Sequence, residues 1–157
     1  MLSYRNLTEN DCEFIYQQWV GKSSIFRQGL SENALRDTIQ EMNTNLYNGN
    51  YYEIFGVLNN GVLIGTFSFY QRESDMLENA VYFGIEVSEE NRMQGFGTRI
   101  VLMAFELAND KGYEKIFSRA RVDNIASVNL HRKCGFIIIE KNQSNAGHEA
   151  YDYVYTL

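Results

Sequence analysis

Apolar and polar residues alternate from Leu2 to Leu7, the period of a strand with one covered face. Thr8 and Asp11 then have the spacing of a capping box and predict a helix reaching about Val20. A loop containing Ile25, Phe26 and Arg27 separates it from a second helix, which Ser31 caps, on which Leu35, Ile39, Met42 and Leu46 recur at helical spacing, and which Gly49 stops. Tyr51 to Leu58 and Val62 to Tyr70 are rich in β-branched and aromatic residues. The Asn59-Asn60-Gly61 between them predicts a tight antiparallel hairpin.

After the polar stretch Gln71 to Glu78, Ala80 to Val87 reads as a strand followed by a glycine-containing loop. Next comes a helix whose stripe is Ile100, Ala104, Leu107 and Ala108, widened by Val101 and Phe105, and which ends near Lys111-Gly112. Lys115 to Val122 closes a βαβ unit, which requires a parallel pair with a right-handed crossover. A last helix from about Ile125 to Cys134 stops at Gly135. Phe136 to Glu140 and a strand carrying Tyr151, Tyr153 and Tyr155, joined through Ser144-Asn145-Ala146-Gly147, end the pattern. The predicted class is a mixed α/β sheet; a fully parallel Rossmann sheet fits poorly because the outer parts of the chain lack alternating helices.

The chain has 157 residues, no proline, scattered glycines and no repeat, so residues 1–157 are expected to form a single domain. A net charge of -6, with no lysine or arginine cluster, argues against nucleic-acid binding and suits equally a cationic partner such as a polyamine and a charge that only keeps the protein in solution. No apolar run reaches membrane-spanning length and Met1 to Arg5 lack the apolar segment of a secretory signal, so a cytoplasmic location with no membrane partner is expected. Cys12 and Cys134 have neither metal-ligand nor redox spacing, so no metal is expected.

The loop Arg92-Met93-Gln94-Gly95-Phe96-Gly97 leaves a strand and opens a helix, where amides without intrahelical partners point at an incoming anion. Glycine at 95 and 97 would let a diphosphate approach the main chain, and Thr98 can add a hydroxyl. There is neither the Lys-Ser/Thr ending of a nucleotide-hydrolysing loop nor the third glycine of a dinucleotide fingerprint. Taken by itself, the segment reads equally well as a tight turn opening a helix.

Arg92-x-x-Gly95-x-Gly97 resembles the phosphate-loop signature of the GNAT superfamily of acetyl-CoA-dependent N-acetyltransferases. The segment from Asn124 through Ser127, Leu130 and His131 to Gly135-Phe136 resembles that family's following motif, with His131 where a tyrosine is usual. The opening Tyr4-Arg5-Asn6-Leu7-Thr8 extends the likeness over essentially the whole chain, and the overall pattern looks most like the ribosomal-protein and spermidine acetyltransferase branch.

The resemblance implies a central mixed, mostly antiparallel sheet with about four helices and a splayed parallel pair that receives the pantetheine arm of acetyl-CoA. It puts main chain at Ile85 and Val87 on that arm, Arg92, Gln94, Gly95, Phe96, Gly97 and Thr98 around the diphosphate, and Asn124 and Ser127 across from them. Transfer to an amine needs a base, an oxyanion donor and an acid for the departing thiolate. Glu86, on the face opposite Phe83, Ile85 and Val87, is the candidate base; a solvated carboxylate at a strand end is the competing reading. The main-chain N–H near Val87 is the candidate oxyanion donor.

His131 is the candidate acid, against the reading of an ordinary helix-flank histidine, with Tyr151 and Tyr153 as substitutes. Arg119 stands where the family often has an acidic residue, which leaves the base open between Glu86 and ordered water. The resemblance places acceptor selectivity in Ser23 to Leu30 and Gln143 to His148; Arg27 there is a carboxylate-binding candidate, against the stronger reading of a solvated surface arginine. The expected reaction is acetylation of a small-molecule or peptide amine in a ternary complex. The alternative is an acyl-CoA-binding sensor or interaction module, and oligomeric state, a homodimer included, is left open.

Overall fold

The computed structural model describes residues 1–19, 29–44, 46–47, 49–72, 77–143 and 147–157. The fold is organised by its hairpin. Strand β3 (Asn50–Asn59) turns into β4 (Val62–Tyr70) through Asn60 and Gly61, both at positive φ, the backbone twist that two-residue hairpin turns require. Strand β1 (Leu2–Asn6) pairs antiparallel with the outer side of β3, and β4 pairs antiparallel with β5 (Ala80–Val87). Strand β5 lies parallel to β6 (Lys115–Arg121), and the connection between them is helix α3 (Phe96–Asp110). Strand β8 (Glu149–Thr156) pairs with β6, and β7 (Ile137–Gln143) forms the far edge. The strand order β1-β3-β4-β5-β6-β8-β7 is therefore mixed, with one parallel pair, as the resemblance implies.

One expectation is corrected. The spacing that assigns Leu46 to the second helix is broken: α2 (Glu32–Met42) ends at Asn43, and Leu46–Tyr47 forms a short strand, β2, against Tyr51 and Asn50. Gly49, at φ 78°, makes the turn between them, so it serves a hairpin and does not stop a helix.

Each face of the sheet has its own core. Helices α1 (Cys12–Gln18) and α2 cover β1, β3 and β4 through Leu7, Ile15, Trp19, Leu35, Ile39, Met42 and Ile54. On the other face, α3 and α4 (Ile125–Lys133) pack Ile100, Val101, Ala104 and Phe105 against Phe67, Phe69, Phe83, Ile116, Phe136 and Tyr153. No described helix is long and apolar enough to cross a membrane.

Two polar ties fix the elements that matter below. The Asp11 carboxylate receives the Thr8 N–H at 2.7 Å and both Arg5 guanidinium nitrogens at 2.8 and 2.9 Å, joining β1 to the turn that opens α1. Burial would raise its pKa, but the Arg5 and Thr8 hydrogen bonds outweigh that and hold it below the usual aspartate value. At the end of α3, Lys111 lies 3.1 Å from Glu53, which also accepts the Tyr51 hydroxyl at 2.7 Å, so the helix is anchored on β3.

Asp11→Ala leaves the Arg5 guanidinium and the Thr8 amide without this acceptor and should cost about 1–3 kcal/mol in chemical denaturation at neutral pH. Because the folded-state pKa is depressed, this stabilisation is present above the unfolded aspartate value and is lost as pH falls through the lower, folded one. The difference from the wild type should accordingly shrink in strong acid. At Gly65, a Cβ would meet the Glu86 carbonyl oxygen at 2.5 Å, so Gly65→Ala forces β4 from β5 and should destabilise by about 2 kcal/mol or more, read as a lowered Tm.

Candidate active site

The parallel ladder between β5 and β6 holds only at Ala80, Val81 and Tyr82, opposite Lys115, Ile116 and Phe117. Beyond that point β5 stays paired with β4 as far as Val87, and β6 with β8 as far as Arg121. The sheet is thus held on both sides while its middle opens into a fork. By chain order, the open end is where β5 leads to the start of α3 and β6 to the start of α4. A narrow apolar cleft, too tight as it stands to admit a water, is lined by Phe83, Ile85, Val101, Leu130, His131 and Phe136 beside the fork.

The loop at the open end is locally braced. The Arg92 Nε donates to the Val87 carbonyl at 3.0 Å, and Gln94 Nε2 donates to the Glu90 carbonyl at 3.0 Å. Gly95, at φ 80°, sits directly before α3, whose first main-chain bond runs from Arg99 N–H to the Gly95 carbonyl. The amides of Phe96, Gly97 and Thr98 therefore precede the intrahelical ladder, with no acidic residue in the first turn and Arg99 within it. A Cβ on Gly95 would meet nothing within 4 Å, so its glycine answers to backbone angle. Gly97 answers to something else: its Cβ would lie 3.3 Å from Leu130 Cδ2, so glycine there lets α3 approach α4. Thr98 is engaged with the Cys134 sulfur.

Asn124 caps α4, its Oδ1 accepting the Ser127 N–H at 3.2 Å. One turn on, His131 is buried, and its Nδ1 lies 2.7 Å from the Ser127 carbonyl. A carbonyl only accepts, so Nδ1 carries the hydrogen, and in the neutral ring Nε2 is left as an acceptor. Ser118 Oγ lies 2.8 Å from that Nε2 and 3.3 Å from the Phe83 carbonyl oxygen. The imidazole stacks on Tyr153 at 4.4 Å between centroids, and the buried Tyr153 hydroxyl has no hydrogen-bond partner among the described residues. Burial lowers the His131 pKa against the opposing pull of the Ser127 carbonyl, so the ring is neutral at neutral pH.

The other face of the fork is different in character. Tyr52, Tyr70, Tyr82 and Phe117 are register partners on four adjacent strands and form a transverse row of rings, with the Arg72 guanidinium 4.1 Å from the Tyr82 ring centre. Glu86 lies on this face opposite Thr66. Arg119 is held by Asp152 through two bonds of 2.6 and 3.1 Å, and Asn142 reaches the same carboxylate at 2.5 Å.

Ile85 and His131 therefore share one cleft, Gly97 abuts its Leu130 wall, and Glu86 faces away from it. Phe26 and Arg27 lie outside the described residues, as do Ser144 to Ala146. Ser118 escapes sequence reading because it is one serine among alternating small and apolar inward positions, Ile116 and Ala120 beside it. Among the described residues no cluster of His, Cys, Asp or Glu suits a metal ion.

Comparison with known proteins agrees with this geometry. The "Uncharacterized N-acetyltransferase YobR" of Bacillus subtilis (strain 168) is 36% identical over 58 residues, 37% of this chain and 24% of that protein, so the match spans about a quarter of that relative. A structure of mutant forms of the spermidine/spermine N-acetyltransferase SpeG from Vibrio cholerae superposes with a TM-score of 0.78 at 19% identity, covering 99% of this chain and 95% of that one. RimL, a ribosomal L7/L12 alpha-N-protein acetyltransferase, gives 0.80 at 19% identity, covering 99% and 90%. Residues 16–136 match the model of the Acetyltransferase (GNAT) family, and with the forked parallel pair and glycine loop in place, the chain belongs to that family.

Proposed function

We propose that this chain transfers the acetyl group of acetyl-CoA to a primary amine, that of a small molecule such as a polyamine or of a peptide or protein N-terminus. The reading rests above all on the fork, a parallel pair abandoned after three residues with a helix N-terminus at its open end. Main chain freed at Ile85 and Val87 suits an extended amide-bearing arm, which can complete the interrupted ladder as an added strand would. The amides from Gly95 to Thr98, with Arg92 and Arg99 nearby and no acid in the first turn of α3, suit a diphosphate. Gln94 borders that seat, and Asn124 and Ser127 meet the arm from α4. Acetyl-CoA would supply the thioester carbonyl.

The remaining roles fall to this chain's own groups. An alkylamine arrives as its ammonium form at neutral pH and must lose a proton before it can attack; Glu86, on the tyrosine-lined face, accepts it. The N–H near Val87 steadies the oxyanion, and His131 returns a proton to the departing sulfur. A net charge of -6 favours the approach of a cationic acceptor. SpeG and RimL, acting on a polyamine and on a ribosomal protein, mark the two acceptor classes to try first.

The protein incubated with acetyl-CoA should release free thiol only when an amine from a panel of polyamines, aminoglycosides, N-terminal peptides and amino acids is added. Tight coenzyme A binding without turnover across the panel would favour a sensor. Gly95→Val places a β-branched residue at φ 80° and should weaken coenzyme A binding at least about 10-fold by calorimetry, with an unchanged far-UV spectrum.

A further inference from the structure

We propose that Ser118 and His131 form a proton shuttle at the fork, which carries the proton of the attacking nitrogen to the departing sulfur. This rests on the acetyltransferase reading above and answers a difficulty within it. A neutral His131 whose only hydrogen is committed to the Ser127 carbonyl has no proton on Nε2 to give. It must first receive one.

The surroundings of Ser118 accommodate both states. A hydroxyl has one hydrogen and two lone pairs. While His131 is neutral, the hydroxyl hydrogen points to Nε2 at 2.8 Å. Once Nε2 carries a proton, the same oxygen accepts it and the hydroxyl turns to the Phe83 carbonyl at 3.3 Å. Ser118 follows the last paired residue of β6 and Phe83 follows the last paired residue of β5, so this three-group chain stands at the apex of the opening.

The step balances. The amine nitrogen forms a bond to the thioester carbonyl carbon, and the π pair moves to oxygen. The nitrogen gives a proton to Ser118 Oγ as the serine's own proton passes to His131 Nε2. The carbonyl re-forms, the C–S bond breaks with its pair on sulfur, and the proton returns through Ser118 to make the thiol. Amide and thiol leave, and the pair is restored. A proton held on a buried imidazole that resists charge is readily returned.

The groups facing the ring are uncharged: Ser127 on its own helix, Phe83 on β5, Ser118 on β6, Tyr153 on β8, Val101 on α3, and Phe136 after α4. Burial raises the Tyr153 phenol, which keeps it neutral as well. Activity should therefore fall as pH drops through the lowered His131 value, because a ring already protonated accepts nothing.

The test compares wild type with Ser118→Ala and Ser118→Thr, using the best amine from the panel. Ser118→Ala should lower kcat at least about 100-fold, with coenzyme A affinity and acceptor KM little changed and the far-UV spectrum retained, although the acceptors left unpaired lower its Tm. Its remaining turnover should keep only the acid limb that Glu86 and the amine set and lose the part that follows His131, and Ser118→Thr should recover most of the rate. In the ligand-free protein, imidazole nitrogen resonances of His131 should show hydrogen on Nδ1 and a hydrogen-bonded acceptor at Nε2, the latter bond lost in Ser118→Ala. Only two histidines contribute to that spectrum. Wild-type kcat in Ser118→Ala, a pH profile of kcat unchanged in shape at reduced rate, or hydrogen on Nε2 in the wild type would each overturn the shuttle while leaving the acetyltransferase reading intact. Coenzyme A binding with no turnover on any amine would overturn both.

Discussion

The structure depends on one interruption: the main-chain ladder between β5 and β6 is made for three residues and then given up. Hydrogen-bonding groups left without partners in a sheet interior cost about 1–3 kcal/mol each, so such a gap persists only if the strands are fixed from outside. They are. Strand β5 is pinned by β4, where Gly65 allows the backbone to come against the Glu86 carbonyl, and β6 is pinned along its whole length by β8.

The helices turn that gap into a site. Helix α3 crosses from the open end of the fork to β3, where Lys111, Glu53 and Tyr51 hold it, and the missing Cβ of Gly97 lets α4 close over the cleft through Leu130. His131 is thereby buried between Tyr153 and Phe136 with its tautomer set by Ser127. The two faces of the opening have opposite chemistry. One is apolar and holds the neutral imidazole; the other carries the tyrosine row, Arg72, Glu86 and the Arg119–Asp152 pair, a surface suited to a polar acceptor.

Much of this was legible in the chain. Asn60-Gly61 announced the hairpin, the stripe from Ile100 to Ala108 announced α3, and β5 was placed from Ala80 to Val87, because each follows from a local period or a turn that only certain residues make. Leu46 was misplaced since a helical spacing of four cannot see that a hairpin partner will compete for the residue. Both glycines stand out in the sequence, but only the folded chain separates Gly95, needed for its backbone angle, from Gly97, needed for helix contact. Ser118 was invisible for a deeper reason: its neighbours, Phe83 and His131, are 35 and 13 residues away and meet it only because the ladder fails beside them.

On the acetyltransferase proposal, the fork is an unfinished ladder that acetyl-CoA completes. Amide hydrogen exchange with and without coenzyme A reads this directly. Exchange should slow on binding in Gly84 to Val87 and in Gly95 to Thr98, while the β3–β4 hairpin stays unchanged. Protection confined to other segments, with Gly84 to Val87 exchanging as before, would contradict it.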